Sequence, residues 1–305
     1  MIVNEPDIVE NLDELPFPAM HMLPMSRYSS IIGLHPVTTM ITSRGCPFKC
    51  GFCSKQPSDK KHRTRSPKNV ATEMEELIQK YKIKEIMFYD DVITLKRDHI
   101  VGICEEILKR NLKVKWESPT RIDCVDEALL KLMHRAGCIR LRYGVESGDP
   151  EILELMNKKI DIGLVKKVFS LTKRIGIETF AYFMIGYIRE TDKSYKKTLS
   201  LALSLDIDLA MFTIATPYPG TPFYDMVQSK NLIEKDYWKN FTLGVDNSER
   251  LPYFINNAES LIKDAYCKFY LRPRIILRKI KELKSFTTLK KYFNVAKGLL
   301  FFKTI

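Results

Sequence analysis

Six short apolar runs, separated by longer stretches with helical spacing, constrain the fold of this chain most. The runs lie at residues 37–42, 85–90, 113–117, 138–145, 178–185 and 209–215. Between the first two, Ser66-Pro67 supplies an N-cap and first-turn pair, and Val70, Met74, Leu77, Ile78 and Tyr81 follow helical spacing. Ile100, Cys104, Ile107 and Leu108 mark the next helix; another covers 126–136 and closes on Gly137. Cys104 and Cys138 fall at core positions of this pattern. Asp149-Pro150 opens a short helix, a longer one spans 161–175, and residues 191–205 fill the gap before the last run. Strands alternating with helices make parallel βαβ units. Right-handed crossovers curl such units into a barrel or a doubly wound sheet. In both, the functional site forms at the C-terminal ends of the strands.

The first run delivers Ser43-Arg44-Gly45-Cys46-Pro47-Phe48-Lys49-Cys50-Gly51-Phe52-Cys53 to that end. Three thiolates at CxxxCxxC spacing can hold three irons of a [4Fe–4S] cluster and leave the fourth iron without a local cysteine. Such an open iron can bind a small molecule and pass it an electron. With seven cysteines in 305 residues, the spacing arises by chance roughly 0.004 times per chain. Two other readings fit the same residues. The cysteines could be small buried hydrophobes. They could also be three ligands of a structural zinc, with His62 the nearest candidate for a fourth.

Other strand ends carry polar residues: Tyr89-Asp90-Asp91, Thr120-Arg121 and Gly144-Val145-Glu146-Ser147-Gly148. Acids before helices commonly serve as N-caps, which suits Asp91 as well as a binding role does. Glu146, followed by Ser147-Gly148 directly after an apolar strand, points to a binding role.

Composition places limits on the alternatives. The chain is 45% hydrophobic and 28% charged, an ordinary globular balance. No apolar run reaches the ~18 residues of a membrane span. The start, Met1-Ile2-Val3-Asn4-Glu5-Pro6-Asp7, lacks the apolar stretch of a signal peptide, and an odd cysteine count does not suggest a disulfide framework. A cytoplasmic protein is expected. The net charge of +12 is concentrated: from Lys268 to Ile305 there are eleven basic residues against one acid, Glu282, a net +10. The body is therefore near neutral, and any argument from charge to an anionic partner concerns this tail. The tail also has helical spacing with aromatics (Tyr270, Ile275, Leu277, Ile280, Leu283, Leu289, Phe293). It fits a basic helical cap on the barrel, a peripheral membrane-surface helix, or a nucleic-acid contact. The absence of a stacking platform or recognition motif argues against the last. Prolines 6, 16, 18, 24 and 36 break regular structure before the first strand. The expected organisation is a linker over 1–36, a core barrel over 37–235, and a basic helical extension over 236–305.

The cysteine spacing, with Phe52 just before the last cysteine, resembles the radical S-adenosylmethionine (SAM) enzymes. Residues 11–18, 42–53, 88–91, 136–138, 144–148, 216–222 and 269–273 together resemble one branch of that family. The branch includes cobalamin-dependent methyltransferases and the anaerobic magnesium-protoporphyrin cyclase. The resemblance spans about residues 8–280. It implies a partial (β/α)6 TIM-like barrel and a [4Fe–4S] cluster on Cys46, Cys50 and Cys53. It further implies SAM bound across the strand ends and cleaved reductively to a 5′-deoxyadenosyl radical. By position, the main chain at Phe52 would touch the adenine, the Asp90-Asp91 turn the methionine amine and Glu146 the ribose, with Ser147 in the same cofactor-binding set; Lys158 would face the SAM carboxylate, though its place also fits a solvated helix end. No catalytic residue is assigned. The implied partners are an electron donor such as flavodoxin or ferredoxin and a small or lipid-like substrate that is methylated or otherwise modified. tRNA modification is the alternative within the enzyme class. A non-catalytic, metal-stabilised barrel with a binding tail is the alternative outside it.

Two departures stand out. The family usually has Gly-Leu-Pro-Gly-Glu after the fifth strand, where this chain reads Gly186-Tyr187-Ile188-Arg189-Glu190. A bulkier turn is expected there. In this branch the 11–18 stretch normally follows an N-terminal cobalamin-binding domain, whereas here only a few residues precede it; no DxHxxG cobalamin motif occurs, though many relatives bind cobalamin without one. The chain therefore looks like the catalytic half alone: a separate domain or cobalamin-binding partner protein supplies cobalamin, the domain has been lost, or the sequence is a fragment of a longer enzyme.

Overall fold

A computed structural model describes residues 8–30, 32–54, 61–234, 237–245 and 253–281. Six strands form one sheet in the order β1 (Val37–Met40), β4 (Glu85–Phe88), β5 (Lys115–Thr120), β6 (Cys138–Glu146), β7 (Glu178–Ile185) and β8 (Leu209–Ile214). The strands are parallel and the sheet is that of a partial TIM-like barrel, as the strand–helix alternation predicts. A second, antiparallel pair joins β2 (Ser43–Arg44) to β3 (Arg63–Thr64). Such two-residue strands carry no periodicity to be read from sequence.

The third strand of the barrel begins and ends later than expected, at Lys115–Thr120 rather than 113–117. Its β4 partners stop at Glu117, whereas β6 pairs with it as far as Thr120. Pro119 thus lies where no β4 residue is in register, and its missing N–H costs that side of the ladder nothing.

The chain divides into two compact units. Unit 1 comprises 1–48, 55–144 and 163–180; unit 2 comprises 49–54, 145–162 and 181–305. In unit 1, α1 (Pro67–Tyr81) starts as predicted, with Ser66 accepting from the Asn69 N–H. Its Val70, Met74 and Leu77 are buried, as are Ile100, Ile103 and Ile107 of α2 (Arg97–Lys109) and Leu129, Leu130 and Met133 of α3 (Glu127–Arg135). Cys104 and Cys138 lie in this core, and burial pushes the Cys104 thiol up to about 12, which removes it from thiolate chemistry. Trp116 packs edge-on against Phe88 and donates its indole N–H to the Ala136 carbonyl. Tyr143 bonds Thr172 of α5 (Ile162–Ile175), so alternate residues Arg140 and Arg142 occupy the opposite face of β6. Leu12 and Met25 of the N-terminal stretch are buried, and Asp13 accepts from the Ser66 N–H.

Charge is buried at the N-terminal ends of the unit 1 strands. Arg140 pairs with Glu117 and Glu178 at 2.6 Å each, lies 3.8 Å from Glu85, and donates to the Ile32 carbonyl. Glu85 also accepts from the Leu34 N–H at 2.6 Å. One guanidinium thus ties β5, β6 and β7 together at the end of the strands opposite their C-termini.

In unit 2, α9 (Ala258–Tyr270) protects the last strand. The Tyr270 hydroxyl bonds both the N–H and the carbonyl of Ala210, and the Tyr266 hydroxyl accepts from Phe212 N–H. These bonds occupy backbone groups of β8, the last strand of the sheet, which would otherwise offer an open ladder. The described part of the basic tail is similarly engaged. Arg272 donates to the Leu203 carbonyl, Arg274 pairs with Asp206, and Arg278 pairs with Asp208 and donates to the Ile207 carbonyl. The remainder of the tail, after Lys281, lies outside the described residues.

Candidate cofactor site

Residues 49–54, which carry Cys50 and Cys53, are anchored in unit 2 by main-chain bonds. Gly51 N–H donates to the Met156 carbonyl (2.7 Å) just after α4 (Pro150–Leu155). The Gly51 carbonyl accepts from the Phe223 N–H (2.8 Å) in the first turn of α7 (Pro222–Ser229). Asn157 donates its side-chain amide to the Lys49 carbonyl at 2.7 Å. These bonds fix the backbone without using a thiol, and all seven cysteines are free of disulfides. Cys50 is buried and Cys53 half-buried.

Glu146 ends β6 with φ +67°, a left-handed conformation rare for a residue with a side chain. Such strain at a strand end marks a position where local geometry is set by the site. Its carboxylate meets Lys158 at 2.7 Å; both are buried, and the Lys158 ammonium lies 5.7 Å from the Phe52 ring centroid. Unit 2 therefore gathers Phe52, Glu146 and Lys158 of the expected set. Ser147 is used locally: its hydroxyl bonds Thr198 and accepts from the Asp149 N–H ahead of α4.

The altered turn lies in the same unit. Gly186 keeps a positive φ of 87°, and Arg189 adopts +65° where the family usually has glycine. Its exposed side chain makes this tolerable at a cost of about 1 kcal/mol. Glu190 folds back to accept from the Gly186 and Tyr187 N–H groups, while its other oxygen is buried without a partner among the described residues. Burial pushes the Glu190 carboxyl from the ordinary 4.5 up to about 7, against the pull of those two N–H donors. A carboxyl raised on folding holds its proton in the native state longer than in the unfolded chain. This contribution is present at pH below about 4.5 and is lost as pH rises through about 7. Glu190→Gln should therefore remove a fall in stability of about 1–3 kcal/mol between pH 5 and pH 8. Urea unfolding of both proteins at the two pH values checks this.

Tyr187 is fully buried, 4.3 Å from the Phe223 ring, and its hydroxyl has no hydrogen-bond partner among the described residues. A buried, unsatisfied hydroxyl costs about 1–3 kcal/mol, and burial pushes this phenol up to about 12. The hydroxyl sits against the cysteine loop: a Cβ added at Gly51 would lie 2.7 Å from it. Gly51→Ala is expected to destabilise the protein by about 1–3 kcal/mol through this clash. Adding Tyr187→Phe should recover most of the loss in a double-mutant thermal unfolding cycle.

Unit 1 holds Cys46, Asp90 and Asp91. Asp90 is buried and accepts from the Thr42 N–H, the Thr42 hydroxyl (2.8 Å) and the Ser43 hydroxyl. Burial pushes its carboxyl up, opposed by those bonds from Ser43 and Thr42. His99, driven down to about 4 by burial, is neutral at physiological pH and meets the Thr42 hydroxyl at 3.0 Å. The Asp90 carboxylate thus grips the start of the cysteine loop. Asp91 beside it is exposed. Arg121 stacks on Phe48, two residues past Cys46, at 3.7 Å and is held by Asp123. Thr42, Ser43 and Tyr187 lie in the quoted stretches without an expected role of their own, and Asn157 lies outside them; each acts through loop geometry that spacing does not encode.

Among the described residues, no three Cys, His, Asp or Glu side chains form a group that could hold a single metal ion. Cluster ligands need not form one, because each thiolate takes a different iron. The donor set, three cysteines outside any disulfide with Cys50 and Cys53 on an anchored loop, fits an iron–sulfur cluster.

A family model described as the radical SAM superfamily matches residues 40–202, just over half of the chain. The chain belongs to the radical SAM superfamily. An uncharacterized methyltransferase of Pyrococcus horikoshii is 36% identical over 287 residues, covering 93% of this radical SAM chain and 62% of the relative. The anaerobic magnesium-protoporphyrin IX monomethyl ester cyclase of Rubrivivax gelatinosus is 34% identical over 224 residues, covering 73% of the chain and 40% of the cyclase. The chain therefore spans less than two thirds of either relative. In fold it matches the radical SAM methyltransferase TsrM from Kitasatospora setae, solved with cobalamin and a [4Fe–4S] cluster bound. The TM-score is 0.60 at 20% identity, covering 64% of this chain and 39% of that one. Among the described residues no helix is long and apolar enough to cross a membrane.

Proposed function

We propose that this radical SAM protein modifies a small or lipid-like molecule, by methylation or a related carbon-centred reaction. The observation that carries the site assignment is the buried Glu146–Lys158 pair over Phe52, in the unit that holds Cys50 and Cys53. When bound, the cluster and SAM supply a one-electron reductive cleavage that yields methionine and a radical able to abstract hydrogen. The chain's residues bind and orient. Cys46, Cys50 and Cys53 hold the cluster, and the main chain at Phe52 takes the adenine. Glu146 accepts from the ribose hydroxyls, while Ser147, whose hydroxyl is taken by Thr198 and Asp149, supports the turn that follows it. Lys158 offers a cation to the SAM carboxylate and would exchange part of its pairing with Glu146 for it. The methionine amine is assigned to the Asp90-Asp91 turn. Because the Asp90 carboxylate already has three donors, the amine's acceptor there is a main-chain carbonyl or Asp91.

The transferred group and the electron donor, a flavodoxin or ferredoxin, are proposals drawn from the family. So is cobalamin, which would come from a separate domain or a partner protein. Methylation is supported by the name of the Pyrococcus relative, whose length this chain only partly spans. Peripheral membrane contact by the tail would rest on residues after Arg278, since Arg272, Arg274 and Arg278 are already bound within unit 2.

The test is anaerobic incubation of reconstituted protein with SAM and dithionite, reading 5′-deoxyadenosine by mass spectrometry. Glu146→Gln should weaken SAM binding about 10- to 100-fold, since one charge-assisted bond of about 1.5–3 kcal/mol is lost. Unchanged SAM affinity in that variant would remove Glu146 from the site.

A further inference from the structure

The turn Gly186–Glu190 departs from the family's usual sequence, and its tyrosine has a task that packing does not explain. Tyr187 is fully buried, yet its hydroxyl has no hydrogen-bond partner among the described residues. Packing alone would be met as well by leucine or phenylalanine. The hydroxyl lies against Gly51, between Cys50 and Cys53, where a side chain would come within 2.7 Å of it. The ring cannot easily turn away, because Phe223 packs against it in a tilted arrangement at 4.3 Å between centroids and is itself tied to Gly51 through its N–H. A phenol is a hydrogen-bond donor at neutral pH. What the loaded loop adds beside Gly51 is sulfur, in the thiolates and the sulfides of the cluster.

We propose that Tyr187 donates a hydrogen bond to sulfur of the [4Fe–4S] cluster, a cysteine thiolate or an inorganic sulfide, and so raises its reduction potential. This rests on the radical SAM reading of the loop. Tyr187 is a positioning residue, touching neither substrate nor the open iron. A hydrogen bond to cluster sulfur offsets negative charge, and the reduced cluster carries one charge more than the oxidised one, so the bond favours reduction. It also explains why position 51 is glycine: the donor needs the space a side chain would fill.

The experiment compares wild type with Tyr187→Phe, both reconstituted anaerobically and without SAM. Iron content is measured first, then the potential by redox titration followed by electron paramagnetic resonance. The expected result is equal iron and a more negative potential in the variant. The reduced-to-oxidised ratio should fall about tenfold at fixed poise, equivalent to about 59 mV for one electron. An exchangeable proton coupled to the reduced cluster should be seen in wild type by pulsed resonance after transfer to heavy water, and be missing in the variant. If Tyr187→Phe loads poorly, Tyr187→Leu, the residue usual at this turn in the family, serves the same comparison. Full iron with unchanged potential and unchanged proton coupling overturns the proposal. So does an effect confined to SAM affinity, which would assign the hydroxyl to the cofactor's adenine. Wild type that takes up no iron would instead overturn the cluster reading itself.

Discussion

Arg140→Ala is expected to destabilise the protein by about 3–5 kcal/mol, the largest effect of any single substitution considered. The reason is not that the salt bridges are strong in themselves. Taking charges from water costs roughly what their attraction returns. The cost arises from what is left behind: Glu117 and Glu85 are each about 1% exposed and would lose their cation. Burial already pushes the Glu85 carboxyl up, with the Leu34 N–H and Arg140 pulling it down. Without Arg140 that restraint is gone, so the variant should recover stability at acid pH, where the orphaned carboxyls protonate. Thermal unfolding at pH 5 and pH 8 would show this. A loss below about 1 kcal/mol at both pH values would mean that the four groups are not the closed network described here.

That network was illegible in the sequence, and the reason is physical. Glu85, Glu117, Arg140 and Glu178 are spread over four strands, and a charge in a strand gives no sign of whether its cross-strand neighbour opposes it. What could be read was whatever has a local period or a fixed spacing. The six runs became the six strands of the sheet because parallel strands are buried nearly throughout, as in β4 and β6, and so read as short apolar runs between helical stretches. Ser66-Pro67 became a helix start because a cap acts within one turn. The cysteine loop was legible because three cysteines fall within eight residues. Asp90 shows the limit. Its place at a strand end suggested a hand offered to a ligand, while the folded chain gives its carboxylate to Thr42 and Ser43. Both roles need an acid at that position, and only the three-dimensional neighbours separate them. Tyr187 is the converse. The sequence marked its turn as a departure without saying what replaced the missing glycine and proline; the structure shows a buried phenol against Gly51.

The second large effect concerns the loop itself. Replacing Cys46, Cys50 and Cys53 together by alanine should reduce bound iron from about four per chain to almost none. The fold should survive, because the bonds that anchor residues 49–54 run through the main chain of Gly51, the Lys49 carbonyl and the Asn157 amide rather than through sulfur. Far-ultraviolet circular dichroism of the triple variant should thus match that of the metal-free parent. Loss of secondary structure would instead make the cysteines structural, as a zinc site requires.

The most direct measurement of the central claim adds SAM to the anaerobically reconstituted, dithionite-reduced protein and follows the electron paramagnetic resonance of the cluster. Three cysteines leave one iron open, so the account predicts about four irons per chain and a signal that changes shape when SAM binds. A protein that takes up zinc but no iron would contradict it, as would a cluster whose signal is indifferent to SAM.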